Sequence, residues 1–247
     1  MTATDYDLET ELALLTSVAR QACDIALSYY AKGAKVWTKD DTSQVTEADI
    51  AVDAALRERL MHARPDYGWL SEETADNPAR LSAKRVFIVD PIDGTSAFIR
   101  RKPHWTICLG LIESGVPIAA VVINPVMGES FTAMRGAGAF LNGARLSTPP
   151  RSTLKGARLV GPAQAFGERS GTPPWPEITR DNFSSLAYRM CSVAMGAREG
   201  AVSLSLSHEW DIAAAALILA EAGTQASELG GGARALRGNL RACARLS

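Results

Sequence analysis

Residues 86–95 read VFIVDPIDGT. An apolar run suited to a buried strand stops at two aspartates three positions apart, Asp90 and Asp93, with Pro91 and Gly94 among them. Pro91 cannot donate to a strand ladder and biases Asp90 toward an extended backbone. Gly94 admits backbone angles that other residues resist. A chain with this segment must end a core strand on a pair of carboxylates. Together with the Ile92 carbonyl they offer three oxygens within four residues, which suits a hard cation such as Mg²⁺. A solvated turn uses the same residue types, so the segment by itself leaves both readings open.

The rest of the chain bounds the choice. Its 247 residues suffice for one large domain or two small ones. Apolar content of 47% and charged content of 21% fit a water-exposed globular chain. A formal charge of -1 gives no sign of a nucleic-acid surface, although it leaves room for local basic patches. The four cysteines, Cys23, Cys108, Cys191 and Cys243, form no C-x-x-C pair and read as reduced core residues. The start, MTATDYDLETE, is acidic where a signal peptide needs a basic and then an apolar run. No apolar run approaches the roughly 20 residues of a membrane span. These features predict a cytoplasmic protein without a membrane partner.

Apolar residues recur at helical spacing over 7–31, with Gly33 as the stop, and again over 46–63, with Pro65 just beyond. Residues 85–90, 105–113, 117–124 and 129–135 read as strands, joined by short turns that predict antiparallel hairpins, and 157–160 as a further strand. Residues 167–175 (GERSGTPPW) read as a loop, 185–196 and 210–222 as helices, and the glycines 230–232 as a flexible run. This order predicts a layered α/β or α+β fold.

Further acids stand at element ends. Glu72 and Glu73 follow the apolar Trp69-Leu70, Asp211 opens the last helix, and Asp49 lies three residues after Thr46 in a near capping box. Each has an ordinary structural reading, such as an acid complementing a helix dipole. Acids at four such sites exceed what a scaffold needs.

DPIDGT at 90–95, the Glu-Glu pair beginning 18 residues upstream and WDIAAA from Trp210 resemble the motifs of the inositol monophosphatase family of Mg²⁺-dependent, lithium-sensitive phosphomonoesterases, over roughly residues 8–225. The resemblance implies a layered α/β/α/β/α sandwich of the inositol monophosphatase and fructose-1,6-bisphosphatase type. It implies a single phosphatase unit over 1–247, with an N-terminal α+β part to about 145 and a C-terminal α/β part from about 146. It further implies two or three Mg²⁺ per site, inhibition by Li⁺, a small phosphorylated metabolite as partner and a homodimer.

By the same resemblance, Glu72, Asp90 and the Ile92 carbonyl hold one metal, and Asp90, Asp93 and Asp211 a second. The Gly94 and Thr95 amides take the phosphate, at a helix N-terminus beginning near Thr95. Asp49 and Thr95, with Glu72, serve catalysis by helping to activate the attacking water. Lys39, Asp93 and Asp211 fall among the substrate-binding positions.

The substrate end departs from the family's branches. Inositol-specific members carry a glutamate seven positions before the aspartate of the W-D pair, and here that position is Leu204. A leucine cannot accept a hydrogen bond from a ring hydroxyl. Glu209-Trp210-Asp211 and Ser184-Ser185-Leu186 resemble the 3′(2′),5′-bisphosphate nucleotidase branch, although the arginine usual before its W-D pair is missing from 203–208. The expected activity is therefore Mg²⁺-dependent hydrolysis of a small phosphate monoester, inositol monophosphatase-like. A 3′(2′),5′-bisphosphate nucleotidase is the alternative, with histidinol-phosphate phosphatase and a non-catalytic metal-binding regulator of the same fold further off. Arg100, Arg101 and Lys102 read as a solvated basic loop or a second anion contact, and His208 as structural or pocket-facing. Gly136-Ala137-Gly138 lacks the third glycine and the strand-to-helix setting of a dinucleotide site.

Overall fold

The computed structural model describes residues 7–39, 43–148, 153–167, 175–227 and 240–245. The glycine run 230–232 and most of the loop over 167–175 lie outside the described residues.

Helix α1 (Leu8–Lys32) starts on Asp7, whose Oδ1 accepts from the Thr10 amide at 2.8 Å, and ends at Gly33 with φ +97°. A short hairpin, β1 (Val36–Thr38) and β2 (Gln44–Thr46), leads into α2 (Glu47–Ala63). Then come β3 (Gly68–Ser71), β4 (Arg85–Asp93), the one-turn helix α3 (Thr95–Ile99), β5 (Thr106–Glu113), β6 (Val116–Asn124), β7 (Glu129–Met134), β8 (Gly138–Leu141) and β9 (Ala144–Arg145). These seven strands form one sheet in sequence order, with β3 parallel to β4 and every other pair antiparallel. Two-residue turns close two of its hairpins: Ser114-Gly115 and Asn142-Gly143 all have positive φ, the type I′ geometry that matches strand twist.

The C-terminal elements are β10 (Ala157–Val160), β11 (Ile178–Asp181), α4 (Leu186–Ala194), β12 (Gly200–Ser207), α5 (Glu209–Glu221), β13 (Gln225–Ser227) and β14 (Leu240–Arg245). Their strands build a second sheet in the order β11-β10-β12-β14-β13.

The layers follow from which faces are apolar. Val52 and Leu56 of α2 and Leu15 of α1 pack on Phe87, Val89, Leu109 and Val121, one face of the large sheet. Cys108, Val122 and Phe131 on the other face meet Met190, Ile218 and Leu219 of α4 and α5. Val160 and Ala201 bring the second sheet against the same two helices. On its outer face Ala157 and Leu159 meet a 3₁₀ turn, Ala163–Phe166. Strands β4 to β6 are covered on both faces, hence their near-continuous apolar runs. Cys23, Cys108 and Cys191 are buried free thiols, as expected of core residues, whereas the side chain of Cys243 lies outside the described residues. Among the described residues no helix is long and apolar enough to cross a membrane.

One boundary differs from the sequence reading. Strand β4 does not stop at Asp90 but runs to Asp93. Asp90 faces Cys108 and Asp93 faces Thr106, so three steps on β4 oppose two on β5. This bulge absorbs Pro91, whose missing N–H costs least where the ladder is already interrupted.

Gly136-Ala137-Gly138 has a structural use. The Gly136 and Gly138 amides both donate to Glu221 at the end of α5, at 2.8 Å each. The glycine turn between β7 and β8 thus receives the protein's own carboxylate.

Candidate active site

The end of β4 is where the N-termini of four helices meet a group of acids. Asp49 belongs to the first turn of α2, Gly94 caps α3, Asp93 reaches the start of α4, and Asp211 lies in the first turn of α5. A helix N-terminus leaves amide donors unsatisfied and carries partial positive charge. Buried carboxylates can therefore gather here at lower cost.

Each acid is held by its neighbourhood. Asp49 Oδ2 accepts from the Thr46 amide at 2.8 Å and from Thr46 Oγ1 at 2.5 Å, closing the capping box anticipated from the sequence. Its other oxygen faces Thr95, whose Oγ1 is 3.2 Å from Asp49 Oδ1 and 3.2 Å from the Ile92 carbonyl. Asp93 accepts from Ser185 Oγ at 2.6 Å, the Ala187 amide at 2.7 Å and the Leu186 amide at 3.3 Å. Asp211 Oδ2 accepts from the His208 amide at 2.7 Å. Lys39 Nζ bridges Glu72 at 3.1 Å and Glu73 at 2.7 Å. Asp90 is 1% exposed, and its Oδ1 is buried without any partner.

The electrostatics record this crowding. Burial holds the Asp90 carboxyl well above the usual range, and Glu72, Asp93, Asp211 and Asp49 add like charge. Burial also raises Asp49 and Asp93 to about 6, Glu73 to about 7 and Asp211 to about 8. Burial opposes the charge on Lys39, but the hydrogen bond to Glu73 and the fields of both glutamates outweigh it and raise its pKa. As the side chains stand, no three Asp, Glu, His or Cys groups among the described residues form a set arranged to hold a metal ion. The hydrogen bonds give the reason. Glu72 is turned to Lys39, Asp93 to α4 and Asp211 to its own cap.

Gly94 is confined as well as freed. Its φ is +93°, and an added Cβ would stand 2.9 Å from the Ser185 amide nitrogen. Ser185 is the N-cap of α4, accepting from the Tyr188 amide at 2.9 Å while it donates to Asp93. Sequence reading overlooked this role for Ser185, although a serine opening an amphipathic run was the available signal. It also overlooked Asp53, buried on α2 one turn beyond Asp49.

Other candidates make contacts of their own. Leu204 packs with Ile178 and Val202 on the outer face of the second sheet, two residues after Val202 in the ordinary alternation of β12. Arg100 and Arg101 lie at the far end of α3, Arg101 with φ +56° and its guanidinium over the Tyr30 ring. His104 stacks on Phe183 at 4.2 Å, and His208, the N-cap of α5, stacks on Trp210 at 4.6 Å.

The alternation of helix and sheet layers, with the acids at the exit of a central strand, puts the protein among phosphoric monoester hydrolases of the sandwich fold. Within that class the chain belongs to the inositol monophosphatase family, whose family model matches residues 7–245. It is 35% identical over 228 residues to the inositol-1-monophosphatase of Rhizobium meliloti (strain 1021), covering 85% of this chain and 81% of that protein. It is 34% identical over 238 residues to the histidinol-phosphatase of Mycobacterium tuberculosis (strain ATCC 25618 / H37Rv), covering 90% and 88%. The crystal structure of the extragenic suppressor protein suhB from Bartonella henselae superposes with a TM-score of 0.82 at 27% identity, covering 94% of this chain and 93% of that one.

Proposed function

We propose that the protein is an Mg²⁺-dependent phosphatase of a small phosphate monoester, acting at the acid cluster where β4 ends. The observation that carries the reading is Asp90. A fully buried carboxylate with an unpartnered oxygen, ringed by Glu72, Asp93, Asp211 and Asp49, is costly unless a cation joins it. The donors are all oxygen, as Mg²⁺ requires. Glu72, Asp90 and the Ile92 carbonyl would hold one ion, and Asp90, Asp93 and Asp211 a second. Ions held there would supply neutralisation of the ester charge and a lowered pKa for water, so that hydroxide is available as the nucleophile at neutral pH.

The chain's own groups supply the rest. The Gly94 and Thr95 amides at the start of α3 receive the phosphate oxygens. Thr95 Oγ1, bonded to Asp49 Oδ1, orients the attacking water and passes its proton toward Asp49. Ser185 and the α4 amides keep Asp93 in place. Lithium inhibition belongs to the same reading.

Leu204 packs away from the acids, so strict recognition of inositol hydroxyls is not expected. The similarity to an inositol-1-monophosphatase and to a histidinol-phosphatase supports a substrate with a modest polar body. The test is phosphate release from inositol 1-phosphate, histidinol phosphate, 3′-phosphoadenosine 5′-phosphate and fructose 1,6-bisphosphate, with Mg²⁺ and with chelator. Turnover of at least one of these that vanishes with chelator supports the reading. Turnover that persists in chelator overturns it.

A further inference from the structure

Asp53 is the buried acid on α2 that the proposed chemistry does not use. It is 6% exposed and follows Asp49 by four residues, so the two share one face of the helix. Its two oxygens serve two hydroxyls. Oδ1 accepts from Ser71 Oγ, and Oδ2 accepts from Thr74 Oγ1 at 2.5 Å. Ser71 ends β3, and its Oγ also accepts from the Glu73 amide at 3.4 Å. The Glu72 amide donates to the Val89 carbonyl of β4 at 3.3 Å. Only Glu72 and Glu73 lie between the two gripped residues.

The segment needs such a bracket. Glu72 adds like charge to the field on Asp90, Asp49, Asp211 and Glu73. Lys39 answers part of that charge through its bonds to Glu72 and Glu73, and the repulsion that is left favours outward movement of a loosely tethered turn. Ser71 and Thr74 bonded to one buried carboxylate resist that movement. Because α2 also carries Asp49, the helix sets the spacing between the Asp49–Thr95 pair and Glu72.

We propose that Asp53 is a positioning residue, which holds the 71–74 turn and with it the Glu72 backbone in place beside the acid cluster, and thereby sets the affinity of the site for Mg²⁺. The role rests on the phosphatase reading above, with Glu72 as a metal ligand.

The experiment is calorimetric titration of Mg²⁺ into the purified full chain and into Asp53→Asn and Thr74→Val, with melting temperatures and the Mg²⁺ dependence of phosphate release measured alongside. Loss of an outer-shell partner costs about 10–100-fold in metal affinity. Asp53→Asn is expected to weaken Mg²⁺ binding by that factor and to raise the half-saturating Mg²⁺ in step. At saturating Mg²⁺, kcat should stay within about threefold of the parent. Thr74→Val, which removes one donor and keeps the shape, should weaken binding less and in the same direction; it decides the matter if Asp53→Asn does not fold. Folded variants with the parent's Mg²⁺ affinity overturn the role of Asp53 and leave the phosphatase reading intact. A lowered kcat with unchanged Mg²⁺ affinity also overturns it, since that marks general disruption. A parent chain that binds no Mg²⁺ overturns the metal-dependent reading itself, and the Asp53 role with it.

Discussion

Two buried carboxylates in this protein show how differently one residue type can be employed. Glu11 of α1 is fully buried, and so is Asp90 at the end of β4. Glu11 Oε1 accepts from Arg64 Nε at 3.0 Å and Tyr67 OH at 2.7 Å, with Arg85 Nη1 at 3.5 Å. Arg85 continues to Glu113 at 2.8 Å, tying α1, the end of α2 and two strands together. The charge on Glu11 is answered inside the protein. Each carboxylate keeps one buried oxygen without a hydrogen bond, Glu11 Oε2 and Asp90 Oδ1, but Asp90 is surrounded by other acids where Glu11 meets arginines. Burial is therefore common to scaffold and site, and the sign of the neighbours separates them. A charge balanced internally belongs to the fold, while one left unbalanced calls for something from outside.

Asp90→Asn gives the largest contrast. It should lower phosphate release on the order of 10³-fold while the chelated protein melts at the same or a higher temperature, because a repelled buried charge has gone. Near-parent turnover would remove Asp90 from the site. Glu11→Gln should do the opposite. Breaking a buried ion pair leaves cations uncompensated and costs about 3–5 kcal/mol of stability, read by urea unfolding, with kcat of the folded fraction unchanged.

The pH dependence of stability sharpens the same comparison. Asp49, Asp93 and Asp211 have pKa values of about 6, 6 and 8 in the fold, above those of the unfolded chain. Between about pH 4 and 8 the folded, chelated protein thus binds more protons than the unfolded chain, and its stability falls as pH rises. We expect a decline on the order of 5 °C in melting temperature from pH 5 to 8, flattened by saturating Mg²⁺. A melting temperature that rises across this range in chelator would contradict the crowding of these acids. The smallest effect is expected at Glu221, an acid answered by two backbone amides. Glu221→Gln should cost about 1 kcal/mol of stability, with activity unchanged.

Much of this was legible in the chain. The cap at Thr46, the helix start near Asp7, the stop at Gly33 and the Ser114-Gly115 turn came through because they are set by neighbours within four residues. Asp49, Glu72, Asp90, Asp93 and Asp211 could be named because each closes or opens an element, where a scaffold has little need of an acid. The four-residue strands β3, β8 and β11 were not seen, since so few residues carry too little periodicity to mark them. The role of Ser185 was missed because its partner, Asp93, is 92 residues away. Leu204 lies at a family position, yet it faces the outer cluster of the second sheet, and which face of β12 meets which layer depends on pairing with distant strands.

By itself, then, the sequence determined where the helices and the longer hairpin strands lie and that the exit of β4 holds acids, since these depend on short-range propensities and on residue chemistry. Only the tertiary structure decided which acids are answered. Whether Glu11 meets Arg64, Asp53 grips Ser71 and Thr74, or Asp90 is left among like charges depends on contacts between segments distant along the chain. Coulomb energy and desolvation act across space and take no account of sequence order.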